Sequence, residues 1–416
     1  MKTSSISSAG FRAPALPRSR DFTAMVVHRL LQGIRFGTLI LVEHGQQRTF
    51  GDGDAPHCRV EIKSPAVYGK ILSAGAIGGA EAYMDGDWTT DNLTGLIRLL
   101  LKNRAVLEKM QSKMSWLSRL GHRLHHYSRR DTIQGSRRNI AEHYDLGNDF
   151  FRLFLDPTMM YSSGIFKQKT DSMEQASLHK LDIICRKLDL QPGDHLLEIG
   201  TGWGELAKHA AQHFGCQVTT TTISEEQHHH ALDKIEAAGL SDRVTVLKQD
   251  YRNLTGRYNK LVSVEMIEAV GLENLPTFFE TCARLLTDDG MMLLQSITIA
   301  DQRYEAASRS VDFIQRYIFP GGALPSASVL LSTASRSSDL RGYALEDITE
   351  HYAETLHRWR QAFLSALPQV RQMNFDTHFI RMWDYYLAYC EGGFLERAIG
   401  CVHVQFHKPA FSRSLS

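Results

Sequence analysis

The chain has 416 residues, 43% of them hydrophobic, with 47 basic against 46 acidic side chains and a formal net charge of +1. At about 150 residues per domain this suggests two or three domains with a sizeable core. It excludes wholesale disorder and a polyelectrolyte that coats nucleic acid. Cys58, Cys185, Cys216, Cys282, Cys390 and Cys401 form no CxxC pair and no zinc-like spacing with histidine, so a reducing compartment and no metal site are expected. The most apolar stretch, 24–42, is interrupted by His28, Arg29 and Arg35. It falls short of the run of about 18 uncharged residues that a membrane span needs.

Residues 1–20 carry Lys2, Arg12, Arg18 and Arg20, several serines and no acid, which reads as a disordered tail with some transit-peptide character. Region 21–103 mixes strand-like runs, Thr38 to Val42 and Val60 to Ile62, with a turn at Gly51 to Asp54. A glycine-dense stretch from Gly75 to Gly86 follows, then Trp88 and an apolar helix from Leu93 to Leu101. A small mixed α+β domain is expected here.

In region 104–138 and its Lys102 border the composition shifts, with ten cations against only Glu108 and Asp131. Leu107, Met110, Met114, Leu117, Leu120, Leu124 and Tyr127 recur at steps of three and four, which places them on one helical face. A basic amphipathic helix of this kind suits an anionic membrane surface; a linker helix packed on a neighbouring domain has the same pattern.

Over 139–410 strands and helices alternate, as in a parallel sheet covered on both faces. Strands are expected at His195–Ile199, Gln217–Thr222, Val244–Leu247, Leu261–Val264 and Met291–Ile297, with helices at Glu205–Phe214 and Glu225–Gly239. The first strand runs into Glu198-Ile199-Gly200-Thr201-Gly202-Trp203-Gly204. Its GxGxG spacing differs from the GxGxxG that seats a pyrophosphate on a helix N-terminus, and the preceding acid suits a cationic ligand. The second strand ends at Thr222 and Ser224, suited to ribose hydroxyls, and the third at Gln249 and Asp250, suited to an adenine amino group. Three such contacts at consecutive strand ends are where an open α/β sheet binds a nucleotide, and they point to S-adenosylmethionine.

Longer motifs then narrow the reading. Glu142 to Phe151, Phe154 to Ser163, Val264 to Gly271, Tyr317 to Gly322, Arg381 to Leu387 and Gly392 to Phe394 together resemble the cyclopropane-fatty-acyl-phospholipid synthase family. More weakly, Glu81 to Trp88 is similar to that family's lipid-handling N-terminal domain. The resemblance implies an α/β fold: a Rossmann-like class I methyltransferase domain with a smaller N-terminal mixed α+β lipid-handling domain. It adds Tyr161, Ser162 and Gln227 to Glu198, Gly200, Gly202, Gly204, Thr222, Ser224, Gln249 and Asp250 as cofactor contacts.

The implied chemistry is transfer of the sulfonium methyl to the double bond of an unsaturated phospholipid acyl chain. A carbocation forms, and loss of a proton closes a cyclopropane. An alkene has no proton to remove first, so the site needs a dry channel, a surface that tolerates a cation, and a base that acts late. Tyr161, Phe313, Tyr317, Phe319 and Tyr352 are candidate π-faces. In the family the late base is a bicarbonate. The matching pocket positions here are Ser163 in place of cysteine, Glu268, Gln295 in place of histidine, Ile297 through its backbone, and Tyr352. Gln295 cannot exchange a proton as histidine does. A methyl-branched or methylene product therefore stands beside the cyclopropane.

The resemblance implies a cytoplasmic enzyme, peripheral at the inner membrane surface, whose partner is a phospholipid bilayer with unsaturated acyl chains and not nucleic acid. A homodimer is left open. Two other classes compete. A methyltransferase for a small soluble acceptor would lack the motifs at Tyr144 to Ser163 and Tyr317 to Gly322, and a lipid carrier would carry a degraded cofactor loop.

Overall fold

A computed structural model describes residues 19–51, 53, 55–104 and 146–412. The basic segment 104–138 and the start of the Glu142 motif therefore lie almost wholly outside the described residues. The N-terminal unit runs α1 (Ser19–Leu31), β1 (Thr38–Glu43), β2 (Gln46–Phe50), β3 (His57–Ile62), α2 (Ala66–Met84), β4 (Trp88–Thr90) and α3 (Leu93–Lys102). Its four strands lie in the order β2-β1-β3-β4, with β1 and β3 parallel. Alternate residues of β1 and β3 (Leu39, Leu41, Cys58, Val60) are buried, the pattern of a sheet with one face in the core.

The glycine-dense stretch proves to be the second half of α2. Gly75 breaks the helix with φ 59° and ψ −129°, and a Cβ at Gly78 would meet the Lys70 carbonyl oxygen at 1.9 Å. These glycines serve a sharp kink at which the chain approaches itself too closely for any side chain.

The second unit contains α4 (Asn148–Arg152), α5 (Met173–Lys187), β5 (His195–Ile199), α6 (Glu205–His209), β6 (Gln217–Thr222), α7 (Glu225–Ala237), β7 (Val244–Lys248) and β8 (Tyr258–Val264). It continues with α8 (Leu275–Leu285), β9 (Leu286–Ile299), α9 (Asp301–Ser308), α10 (Phe313–Tyr317), α11 (Ala327–Ser337), β10 (Arg341–Asp347), α12 (Thr349–Ser365), α13 (Leu367–Gln372), α14 (Thr377–Leu395) and β11 (Ile399–His407). The sheet order is β10-β11-β9-β8-β5-β6-β7. β7, β6, β5, β8 and β9 are parallel; β11 runs antiparallel to β9 and β10.

The expected strands at 195–199 and 217–222 are present with those bounds, and the others extend by a few residues. The expected helix at 205–214 is α6 followed by a wider π-type turn, Ala210–Phe214. β10 and β11 had no counterpart among the sequence expectations. Every residue of β10 is exposed, so this edge strand shows no apolar alternation to read.

Chain order steps outward from β5 in both directions, first to β6 and β7, then to β8 and β9. The carboxyl end of β5 is thus the switch point of the sheet, where such folds bind ligands.

The two units share one core. Phe150 packs edge-on against Trp383 at 4.9 Å, and the cluster continues through Phe154, Trp359 and Phe363 into Tyr83, Trp88, Leu96 and Ile97. The seam is hydrogen-bonded: Tyr83 Oη donates to Asp384 Oδ2 at 2.7 Å, Thr94 Oγ1 to Glu391 Oε2 at 2.7 Å, and Tyr317 Oη to Glu81 Oε1 at 2.6 Å. Among the described residues no helix is long and apolar enough to cross a membrane.

Candidate active site

The glycine loop is shaped by close packing. Gly204 has φ +85°, and a Cβ there would lie 3.0 Å from that of Ala231 on α7. The loop's Trp203 donates through Nε1 to Asn148 Oδ1 at 2.7 Å, which ties the start of α4 to it. Glu198, at the end of β5, is 4% exposed and accepts from Thr220 Oγ1 at 2.6 Å. Burial raises its carboxyl to about 8, against the Thr220 hydrogen bond.

Ser224 caps α7 by accepting from Gln227 N at 3.3 Å, and Thr222 Oγ1 donates to Gln227 Oε1 at 2.9 Å. Asp250 is 2% exposed, and Arg252 engages both of its oxygens, Nε to Oδ1 at 2.8 Å and Nη2 to Oδ2 at 2.7 Å. Gln249 donates from Nε2 to Asn253 O at 2.7 Å. The expected cofactor positions therefore gather along the carboxyl ends of β5, β6 and β7. Several of their polar atoms are already used to shape loops.

Across the switch point, the five expected anion-pocket positions divide between two carboxylates. Glu268 Oε1 accepts from Ile297 N at 2.5 Å and from Ser296 Oγ at 3.0 Å. Its Oε2 is buried with no hydrogen-bond partner among the described residues. Burial first, then the charge of Glu265, raises the Glu268 carboxyl to about 8.

The other positions converge on Glu265, a residue that the family match did not single out. Its Oε1 accepts from Ser163 N at 3.1 Å and Gln295 Nε2 at 2.7 Å; its Oε2 accepts from Tyr352 Oη at 2.6 Å. Ser163 Oγ itself turns to Gly164 O at 2.9 Å. Tyr352, Gln295 and Ser163, expected around Glu268 and a shared anion, thus meet on the side chain of Glu265. The signal was present, since Glu265 is an acid at the carboxyl end of β8, placed as Glu198 is on β5.

Two further buried groups support Glu265. Lys180 on α5 is fully buried and donates to Ser162 Oγ at 2.5 Å. Burial lowers its ammonium to about 8, against the charges of Glu265 and Asp156. His403 on β11 faces Gln295 Oε1 from Nε2 at 2.9 Å, while its Nδ1 lies 2.7 Å from Lys187 Nζ. With the lysine donating to Nδ1, the imidazole carries its proton on Nε2, and the Gln295 amide must turn its NH2 toward Glu265. Burial raises the Glu265 carboxyl, opposed by the Tyr352 hydrogen bond and by Lys180.

An aromatic wall adjoins this site. The Tyr352 ring stacks on Phe394 at 4.4 Å and meets Trp359 at 6.4 Å, and Tyr161 lies 5.3 Å from Trp359. Tyr161 Oη and Tyr386 Oη are 2.9 Å apart, and Phe319 lies 6.4 Å from Tyr161. Phe313 and Tyr317, also expected as π-faces, instead pack along the seam, Phe313 on Tyr385 and Tyr317 over Glu81. Among the described residues, one group with metal-ligand spacing, Glu225, His228 and His229, lies on α7, where Lys248 and His229 already pair with Glu225.

A parallel sheet with this strand order, a glycine loop at its switch point and a buried acid before the loop define a class I S-adenosylmethionine-dependent methyltransferase. The family model for mycolic acid cyclopropane synthetase matches residues 132–404, and the chain belongs to this family. It is similar to the cyclopropane-fatty-acyl-phospholipid synthase of Escherichia coli K12, at 37% identity over 86% of this chain and 89% of the relative. The tuberculostearic acid methyltransferase of Mycobacterium tuberculosis is 36% identical over 89% of this chain and 88% of its own length. Among solved structures, a mycolic acid cyclopropane synthase complexed with S-adenosylhomocysteine and CTAB superposes with a TM-score of 0.62 at 31% identity. That match covers 65% of this chain and 98% of the other. The chain is thus an S-adenosylmethionine-dependent methyltransferase of the cyclopropane synthase type that modifies acyl chains.

Proposed function

We propose that the enzyme transfers the sulfonium methyl to the double bond of unsaturated acyl chains in phospholipid, and that proton loss then gives a cyclopropane. The observation that carries this reading is the pairing of a buried acid–base site, Glu265 with Glu268, with an aromatic wall at the switch point of the sheet. A methyltransferase for an amine or phenol needs a group that activates its acceptor; an alkene needs π-faces for the cation and a base afterwards.

In this reading Glu198, Gly200, Gly202, Gly204, Thr222, Ser224, Gln227, Gln249 and Asp250 hold S-adenosylmethionine, with Tyr161 and Ser162 closing over it. Burial raises the Glu198 carboxyl, and a docked sulfonium favours its ionised form. Tyr161, Trp359 and Phe319 present π-faces to the alkene. The N-terminal unit handles the lipid, and the cationic 104–138 segment brings the enzyme to the inner face of an anionic bilayer.

A second reading, a methylene or methyl-branched product, is favoured by one specific observation: Ser163, Gln295 and Tyr352 are committed to Glu265. A base fixed to the chain removes whichever proton it faces. The name of the mycobacterial relative, a tuberculostearic acid methyltransferase, is in keeping with it. Incubation with methyl-labelled S-adenosylmethionine and vesicles of unsaturated phospholipid, followed by mass spectrometry of the acyl chains, tests both readings. Lipid heavier by one methylene is expected, and chemical degradation of the chain separates a ring from a methylene branch. Label appearing only in soluble acceptors, or in none, refutes the proposal.

A further inference from the structure

We propose that the carboxylate of Glu265, held by Ser163 N, Gln295 Nε2 and Tyr352 Oη, is itself the late base of the reaction and takes the place of a bound bicarbonate. The inference rests on the acyl-chain reading above and names the group that completes its chemistry.

Three observations carry it. First, the donors that would cradle a free anion are spent. Tyr352 and Gln295 each place one hydrogen on Glu265, at 2.6 and 2.7 Å, as does Ser163 N at 3.1 Å; Ile297 N is taken by Glu268. With these donors engaged by Glu265 and Glu268, a second anion would face a like charge at short range, so bicarbonate does not fit the residues present. Second, Glu265 has φ +49°, a left-handed conformation that side chains other than glycine and asparagine rarely adopt. The neighbours that hold it there aim its carboxylate at Tyr352, away from the sheet hydrogen bond that its own N–H makes to Gln295 O at 2.8 Å. Third, the donors are themselves fixed from behind. His403 determines which end of the Gln295 amide faces Glu265, with Lys187 on the far side of the imidazole, and buried Lys180 supplies the opposite charge.

The step balances without a further reagent. The alkene π-pair forms the new C–C bond to the sulfonium methyl as the S–CH3 bond breaks, its electrons leaving on sulfur in S-adenosylhomocysteine. The adjacent carbon becomes cationic. Glu265 then accepts a proton, and the released C–H pair forms either the third bond of a cyclopropane or, after a hydride shift, the C=C bond of a methylene branch. Glu265 becomes a neutral acid and returns the proton to water once the product has left. Glu268 receives none of the Tyr352, Gln295 and Ser163 donors that hold Glu265; Ile297 N and Ser296 Oγ engage its Oε1 instead.

The test uses the purified full chain with S-adenosylmethionine and unsaturated phospholipid vesicles, in carbonate-free buffer and in buffer with added sodium bicarbonate. The readouts are S-adenosylhomocysteine release and acyl-chain mass. Wild type should turn over equally in both buffers. Glu265→Gly suits the local φ and opens the space; it should lose about 100-fold or more in turnover and regain part of it with bicarbonate. Glu265→Gln fills the same space without a base, so it should lose as much and regain nothing. Calorimetric affinity for S-adenosylmethionine should stay within about twofold in both variants, which shows that they fold and dock the methyl donor. Wild type that modifies lipid only with bicarbonate present, or Glu265→Gln with normal turnover, overturns the role of Glu265 while leaving the acyl-chain reading intact. Methyl transfer confined to soluble acceptors overturns both.

Discussion

Replacing Tyr352 by Phe removes a single oxygen and leaves the ring stacked on Phe394 at 4.4 Å, so packing changes little. The lost hydroxyl donates at 2.6 Å to Glu265 Oε2, inside the protein. A hydrogen bond to a charged group contributes about 1.5–3 kcal/mol, and each pKa unit corresponds to about 1.4 kcal/mol. The carboxyl of Glu265, already raised by burial and opposed first by this hydrogen bond, should therefore rise further when the hydroxyl is removed. The sign follows from which form the hydroxyl favours: it donates to the ionised carboxylate, so its loss favours the proton. Turnover needs the ionised form, so the acid limb of the kcat–pH profile should move to higher pH. Stability has the same sign. A carboxyl raised in the folded state contributes stability below its unfolded pKa and loses it as pH rises through the folded value. The Tyr352→Phe penalty should thus be small in acid and largest on the alkaline side. Product release across pH, paired with denaturant melts at the same pH values, reads both. An unchanged acid limb, with a stability loss independent of pH, would refute the assignment of Tyr352 to the charge on Glu265.

Glu198 is raised to about 8 by burial, and a docking cation favours its ionised form, so S-adenosylmethionine binding near neutral pH should release a proton and weaken as pH falls. Calorimetry in buffers of different ionisation enthalpy measures this directly, and Glu198→Gln should abolish the buffer dependence and weaken binding while leaving the fold intact. Gly392→Ala would place a Cβ 2.7 Å from Ile97 Cγ2, where α14 crosses α3, and should cost about 1–3 kcal/mol in denaturant melts; a neutral result would mean that the seam has slack. The cations of the 104–138 segment should draw the enzyme to anionic vesicles with about 1 kcal/mol per residue near the surface. Sedimentation should show that binding falling with salt, because exposed charges are screened over about 8–10 Å; equal, salt-independent binding to neutral vesicles would assign the segment to linking domains.

The parallel core of the fold was legible in the chain because its signals are local. β5 and β6 are short apolar or β-branched runs bounded by turn residues, and the loop from Gly200 to Gly204 needs glycine at Gly204, where the backbone turns against α7 with positive φ. The strand ends proposed to hold the cofactor were legible for the same reason, since Glu198, Thr222 and Asp250 each close a strand that can be recognised alone. Strand β10 was not, because an edge strand with every residue exposed has no periodicity to show. Nor was the helical character of 75–84, where composition argues for a turn and only packing against the rest of α2 decides. The division of labour between Glu265 and Glu268 was beyond any local reading. The two lie three residues apart around one turn, and which of them meets Tyr352, 87 positions away in sequence, depends on where β8, β9, α12 and β11 bring Gln295, Tyr352 and His403. Sequence determined which carboxylates were available at the strand ends; the tertiary structure decided which one receives the donors, because hydrogen bonds between distant segments exist only once the sheet has assembled.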